Sequence, residues 1–101
     1  MVADSFLDFV LEQLAALPGL RSKRMFGGHG LYAGEVFFGI VFDGRLYLKV
    51  NDDTLADYLA HRCEPFAPSP RQTLKNYREV PAEILEDAGS LRLWAGKALQ
   101  P

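Results

Sequence analysis

Apolar residues near the start of the chain repeat at the spacing of an α-helix. Five of them fall on one side at about 3.6 residues per turn: Phe6, Phe9, Val10, Leu14 and Leu17. Ser5 followed by Asp8 resembles a capping box, and Pro18-Gly19 ends the pattern because proline cannot continue the hydrogen-bond ladder. The pattern predicts an N-terminal helix that packs one face on a core.

The period changes to that of β-strands between residues 20 and 50. Gly27 to Gly30 interrupt the first strand-like stretch, and Asp43-Gly44 favours a tight type I′ hairpin turn. Alternation after this turn puts Leu46, Leu48 and Val50 on one face. The strand-like segments are Leu20–Met25, Leu31–Ala33, Val36–Phe42 and Arg45–Val50.

The second half of the chain mixes helices with one proline-rich segment. Residues 65–70 read Pro-Phe-Ala-Pro-Ser-Pro, which predicts a loop or a sheet edge because proline cannot donate to a ladder. Gly89-Ser90 is expected to separate the last two helices. The predicted elements are a helix from about Asn51 to Arg62, a strand Thr73–Tyr77, and helices Pro81–Asp87 and Leu91–Leu99. The predicted order is α-β-β-β-β-α-β-α-α.

The composition is that of an ordinary globular protein with one domain, residues 1–101. Hydrophobic residues make up 49% and charged residues 24%, which excludes a disordered or collagen-like chain. The single cysteine, Cys63, cannot form an internal disulfide or a cysteine-based zinc site. Neither a signal peptide nor a membrane-spanning run is recognisable, so we expect a cytoplasmic protein without a membrane partner.

The net charge of −2 argues against an autonomous nucleic-acid-binding domain. Basic residues nevertheless concentrate in two short segments, which supply an alternative prediction of direct nucleic-acid binding. The residues of this alternative site are Arg21, Lys23, Arg24, Arg71, Lys75 and Arg78. A solvated basic face is the simpler interpretation of the same residues.

The candidate catalytic and cofactor-binding motifs in the sequence are incomplete. Gly28–Ala33 matches the letters of a dinucleotide-binding fingerprint, but that chemistry needs a helix to open at the glycines, and a strand-like run follows instead. His29, His61 and Cys63 show neither metal-ligand spacing nor the marks of a nucleophile and its base. We therefore expect no enzymatic activity, no metal and no cofactor, with small-molecule binding as a further alternative.

One segment carries a family resemblance. Arg24–Tyr32, with the sequence RMFGGHGLY, resembles the signature of the TfoX/Sxy N-terminal domain family. The proline-rich segment Ala67–Thr73 departs from the family pattern, which often has an aromatic residue after Pro65-Phe66. The similarity covers nearly the whole chain and continues through Val36–Val41, Leu46–Lys49, Pro65-Phe66, Tyr77, Val80-Pro81 and Leu91–Ala95.

The resemblance implies a fold and a type of partner. The fold would be α+β, a two-layer α/β sandwich with helices packed on one face of an antiparallel sheet of about five strands. Proteins similar to this chain act in natural competence as transcriptional co-regulators with the cyclic-AMP receptor protein, and they usually carry a second domain. Because 101 residues leave no room for that domain, we do not carry the competence role over. The family offers no catalytic residues to transfer.

We therefore predict a small protein-interaction or regulatory module that docks on another protein through its glycine-rich segment. Glycine lets two backbones approach closely, arginine offers a forked donor, and aromatic rings supply apolar area at low entropic cost. A homodimer through an exposed strand edge remains open. The residues of the predicted partner site are Arg24, Phe26, Gly27, Gly28, Gly30 and Tyr32.

Overall fold

A single antiparallel sheet forms the centre of the computed structural model, which describes residues 5–25, 28–60, 65–69 and 72–99. Its strands are β1 (Leu20–Met25), β2 (Gly28–Ala33), β3 (Val36–Phe42), β4 (Arg45–Lys49), β5 (Pro65–Ser69) and β6 (Gln72–Glu79). They lie in the order β1-β2-β3-β4-β6-β5, and all neighbouring pairs are antiparallel. The described sheet thus has six strands, one more than expected, because the proline-rich segment forms the edge strand β5.

The described helices pack on one face of the sheet. They are α1 (Ser5–Gln13), α2 (Asp52–Ala60), α3 (Ala82–Leu85) and α4 (Ala88–Ala98). Leu14, just after α1, and Leu91 in α4 are fully buried against Leu48 of β4 and its neighbours. Tyr58 of α2 meets the Trp94 ring edge-on, with the ring centroids 4.7 Å apart. This arrangement confirms the predicted α+β fold with two layers.

Local sequence signals account for several element boundaries. Asp43 and Gly44 both have positive φ, 52° and 70°, which confirms the tight turn predicted between β3 and β4. Asn51 caps α2, since its side-chain Oδ1 accepts the Thr54 N–H at 3.0 Å while the Thr54 hydroxyl accepts the Asn51 N–H at 3.0 Å. Polar residues ahead of an apolar stripe thus start this helix where the sequence predicts.

Other boundaries differ from the sequence-based expectation. Helix α4 begins at Ala88, so Gly89 and Ser90 lie in its first turn and do not separate two helices. Asp87 is the N-cap residue, and the Leu91 N–H donates to its carbonyl oxygen at 2.8 Å. The Ser90 hydroxyl donates to the Asp87 carboxylate within this first turn. Helix α1 ends at Gln13, several residues before Pro18. Gly28 and Gly30 belong to strand β2, where an interruption of the strand was expected.

A β-bulge on β3 sets the alternation of the sheet. Leu31 pairs with Gly39 and Tyr32 pairs with Phe37, so Phe38 is the extra residue on the longer strand. Phe38 is fully buried in the helix-side core, whereas Phe37 packs against the cluster on the other face. Because of this extra residue, Ile40 lies on the same face as Phe37, and Val41 lies on the helix side with Phe38.

Candidate protein-interaction site

Aromatic and basic side chains cross the face of the sheet opposite the helices, which we call the open face. The pairs Arg21–Tyr32, Tyr32–Phe37 and Lys49–Tyr77 are direct cross-strand partners on this face. Together they form one line across five strands, which we call the aromatic row: Arg21, Tyr32, Phe37, Lys49 and Tyr77. Within the described residues, no helix contributes to the apolar cluster on the open face.

The three aromatic rings of the aromatic row contact one another. The Tyr32 and Phe37 ring centroids lie 5.2 Å apart, and those of Phe37 and Tyr77 lie 5.5 Å apart. The Arg21 guanidinium carbon sits 4.9 Å from the centroid of the Tyr32 ring, a cation–π contact. Arg21 Nε also donates to the Gly34 carbonyl oxygen at 2.9 Å. These two contacts hold the long, flexible side chain of Arg21 in one orientation at the surface.

A second line of residues runs beside the aromatic row. Lys23 pairs with Gly30, Gly30 with Ile40, and Ile40 with Tyr47, which in turn pairs with Glu79. Ile40 and Tyr47 are buried, whereas Lys23 is exposed at the β1 end. Ile40 and Tyr47 form one buried cluster with Tyr77 of the aromatic row, and Phe37 packs against this cluster.

Charge on the open face is distributed unequally. Arg45 Nη1 lies 3.2 Å from Glu79 Oε1, so the acidic side chain at the β4–β6 end has a basic partner. Arg21 and Lys23 lie at the opposite end, on β1. The β1 end of the open face is therefore positive, although the whole chain has a net charge of −2.

The residues predicted to bind a partner are divided by the strand geometry. Tyr32 and Gly30 lie on the open face, but Arg24 pairs with His29 and lies on the opposite face by strand alternation. Gly28 is buried against Val41 and Phe42. Phe26 and Gly27 lie outside the described residues. Tyr32 is thus the cross-strand partner of Arg21, and two members of the predicted partner site, Arg24 and Tyr32, lie on opposite faces of the sheet.

The alternative nucleic-acid residues do not form one patch among the residues described. Arg21 and Lys23 share the open face, whereas Arg24 lies on the helix side of the sheet, as does Arg78, the cross-strand partner of Leu48. Arg71 lies outside the described residues, and Lys75 is described only as part of β6.

Sequence reasoning missed three members of the aromatic row: Phe37, Lys49 and Tyr77. Alternation in β4 predicted that Lys49 faces away from Leu48, and this prediction is confirmed. Alternation in β2 puts Tyr32 opposite the apolar Leu31, which indicates its face once Leu31 is assigned to the core. The position of Tyr77 on the face of Lys49 depends on the register between β4 and β6. The signal for Phe37 is weaker, because the bulge at Phe38 breaks the period just beyond it.

Burial on the open face raises the pKa of two tyrosine hydroxyl groups, those of Tyr47 and Tyr77. Desolvation raises the pKa of Tyr77 above its ordinary value of 10.0, and the neighbouring Tyr32 raises it further. Burial, followed by the negative charge of Glu79, raises the pKa of Tyr47 as well. Both phenols therefore favour the neutral, hydrogen-bonding form in the folded chain.

Alkaline pH is expected to destabilise the fold through these phenols. Because the pKa of Tyr77 is higher in the folded than in the unfolded chain, its contribution is fully present below about pH 10 and is lost as the pH rises through the raised pKa. Urea unfolding of the wild type and Tyr77→Phe from about pH 9 to about pH 11.5 measures this, and the variant should lose stability less steeply. Equal slopes for the two proteins would contradict the expectation.

Other parts of the described structure offer less chemistry. An open groove of about 610 Å³ runs along α4, lined by Leu17, Gly89, Arg92, Leu93, Gly96 and Lys97. The residues described contain no group of three or more His, Cys, Asp or Glu side chains that could hold a metal ion. Among the described helices, none has both the length and the apolar character needed to cross a membrane.

Comparison with known proteins agrees with the family resemblance of the sequence. A model of the TfoX N-terminal domain family matches residues 12–101. The chain is also similar to a protein named DNA transformation protein TfoX1 from Aliivibrio fischeri, with 32% identity over 85 residues. That match covers 82% of this chain but 38% of the relative, so the chain spans well under half of the relative's length. The chain belongs to the TfoX N-terminal domain family.

Proposed function

We propose that this chain is a regulatory module without catalytic activity, which acts by binding another protein through its open face. Membership of a family that includes a DNA transformation protein supports a regulatory role. The whole relative is much longer than this chain, so its role is part of the proposal. The observation that carries the proposal is the aromatic row on the open face of the sheet.

The aromatic row has the properties of a protein-binding surface. Tyr and Arg are enriched among the residues that dominate binding energy in protein interfaces, and rigid rings lose little entropy on binding. Tyr32 and Phe37 are partly buried and ordered by neighbouring rings, while Arg21 is exposed and fixed by two contacts. A partner would therefore meet a surface that is organised before binding.

The same geometry disfavours the rival functions. Bases of single-stranded nucleic acid stack on open aromatic faces, but the guanidinium of Arg21 already covers the Tyr32 ring. Small molecules are usually bound in concave apolar pockets, whereas the aromatic row crosses the surface of a sheet. The described cations are also divided between two faces, which weakens a nucleic-acid interface.

The family resemblance suggests which partner to test first. It points to a transcription factor of the cyclic-AMP receptor type in the cytoplasm, and both the partner and the compartment are parts of the proposal. A purified factor of that type from the same organism can be titrated directly with this chain. Binding would identify the partner class, and its absence would leave the open face to be tested by unbiased capture.

Capture from native lysate tests the proposed function with a matched pair of variants. Tagged wild type, Tyr32→Ala and Leu93→Ala are compared after nuclease treatment; Leu93 is 60% exposed on α4, away from the open face. We expect a nuclease-resistant protein partner whose recovery falls about tenfold with Tyr32→Ala and is unchanged with Leu93→Ala. Equal recovery by both variants, or recovery of nuclease-sensitive material alone, would overturn the proposal. Circular dichroism establishes that both variants are folded.

A further inference from the structure

Strand β1 forms one edge of the sheet. Its described neighbour is β2, and the order of the six strands places no other described strand beside it. The four central residues of this edge, Arg21 to Arg24, are all exposed. An edge strand presents a row of backbone donors and acceptors that an additional strand can bind.

The register shows which backbone groups point away from β2. In an antiparallel pair, hydrogen-bonded and non-hydrogen-bonded residue pairs alternate along the strand. The Gly34 N–H donates to the Gly19 carbonyl oxygen at 2.9 Å, in the same register as Leu20 with Ala33. Arg21 and Lys23 therefore bond to β2, whereas the N–H and C=O groups of Leu20, Ser22 and Arg24 point outward.

The side chains of β1 select the charge of an incoming strand. Arg21, Lys23 and Arg24 place three positive charges within four residues of the edge. A second copy paired antiparallel on this edge would bring these cations close to the same cations of its partner, and like charges on facing strands are destabilising. The edge therefore favours a strand of opposite charge over self-association.

We propose that β1 binds an extended acidic segment of a partner protein, which adds to the sheet as a further strand. This inference rests on the proposed function and names the chemistry of the partner. Acidic residues at alternate positions of the added strand would meet Arg21 and Lys23 on the open face. An acidic residue at an intervening position would meet Arg24 on the helix side. The bond from Arg21 to Gly34 uses Nε, so a carboxylate can bind the terminal nitrogens of the guanidinium.

The β1 edge and the open face form one continuous surface. Arg21 is the first member of the aromatic row and is also part of the β1 edge. A strand added at β1 would continue the row of side chains beyond Arg21. Main-chain hydrogen bonds would supply affinity, while Arg21, Lys23 and the Tyr32 ring would supply specificity.

A defined peptide tests this inference without a known partner. The probe is an eight-residue peptide of alternating valine and glutamate, capped at both ends, with a fluorophore for anisotropy. One control peptide has lysine in place of glutamate. Another carries N-methyl groups on the amides that would pair with β1, which removes the hydrogen bonds but keeps the charge.

Two protein variants separate backbone pairing from charge. Ser22→Pro removes an outward N–H at an edge position where proline is tolerated, and Ser22→Ala is its matched control. The double variant Arg21→Glu with Lys23→Glu reverses the charge. We expect Ser22→Pro to weaken binding of the glutamate peptide about tenfold while Ser22→Ala stays within about twofold. The charge-reversed variant should lose the glutamate peptide and bind the lysine peptide.

Three results would overturn the inference. They are the absence of binding by folded wild type, binding that survives N-methylation, and binding that Ser22→Pro leaves unchanged. In the first case the charges of β1 serve to block strand pairing, a common use of charged edges. A partner captured from lysate by Ser22→Pro as well as by wild type would leave the proposed function standing and reject the β1 edge as its contact.

Discussion

Replacing Phe38 with alanine is expected to lower the free energy of unfolding by about 3–5 kcal/mol. The side chain is fully buried in the helix-side core, at the bulge where β3 carries one residue more than β2. Truncation would remove a whole ring from contact with packed neighbours and leave a cavity that the sheet cannot close without changing register. Urea denaturation monitored by circular dichroism measures the loss.

Leu93→Ala provides the control for the core substitution. Leu93 is 60% exposed on α4, and its truncation should change the free energy of unfolding by no more than about 0.5 kcal/mol. If Phe38→Ala cost as little as Leu93→Ala, Phe38 would not be a core residue. In that case the bulge, and the alternation that defines the open face, would be misplaced.

Gly28→Ala is expected to destabilise the fold by about 1–3 kcal/mol. A methyl group at this position would collide with the backbone carbonyl oxygen of Val41, and it would also approach Phe42, whose Cα lies at 3.2 Å. Backbone atoms of a neighbouring strand cannot rotate away as a flexible side chain can, so the strands would have to separate locally. The expected result would show that Gly28, in the motif Arg24–Tyr32, is needed for the close packing of two strands.

Gly96→Ala is the matched substitution for this test. Nothing lies within 4 Å of a methyl group built at Gly96, which is in helix α4. Alanine is the better helix former, so the change should stabilise the protein by about 0.5–1 kcal/mol. Opposite signs for the two glycine variants in urea denaturation would support the packing role. A neutral Gly28→Ala would instead return this glycine to the predicted partner contacts.

Local signals predicted much of the fold. The Asp43-Gly44 turn determines how β3 and β4 pair, and alternation in β4 correctly divides Leu46 and Leu48 from Tyr47. These features depend on residues close together in sequence, which is why they can be derived from the sequence. The edge position of Pro65–Ser69 also follows from a local property, since proline cannot pair on both sides.

The site was harder to predict, because it depends on the register between strands. The sequence motif groups Arg24 with Tyr32, but Arg21 is the cross-strand partner of Tyr32 and Arg24 belongs to the other face. A shift of one residue in register moves a side chain to the opposite side of a sheet. The contact between Phe37 and Tyr77 joins residues 40 positions apart on strands that are not neighbours, and no pattern along the chain indicates it.

Hydrogen exchange measured on the chain alone and in complex with its captured partner tests the central proposal most directly. If the open face binds the partner, amides of β1, β2 and β3 should gain protection, because a bound partner opposes the local opening of these strands. Exchange along the outer side of α4 near Leu93 should stay the same. Protection confined to the groove on α4, with β1 and β2 unchanged, would contradict the proposal and move the partner site to the helical layer.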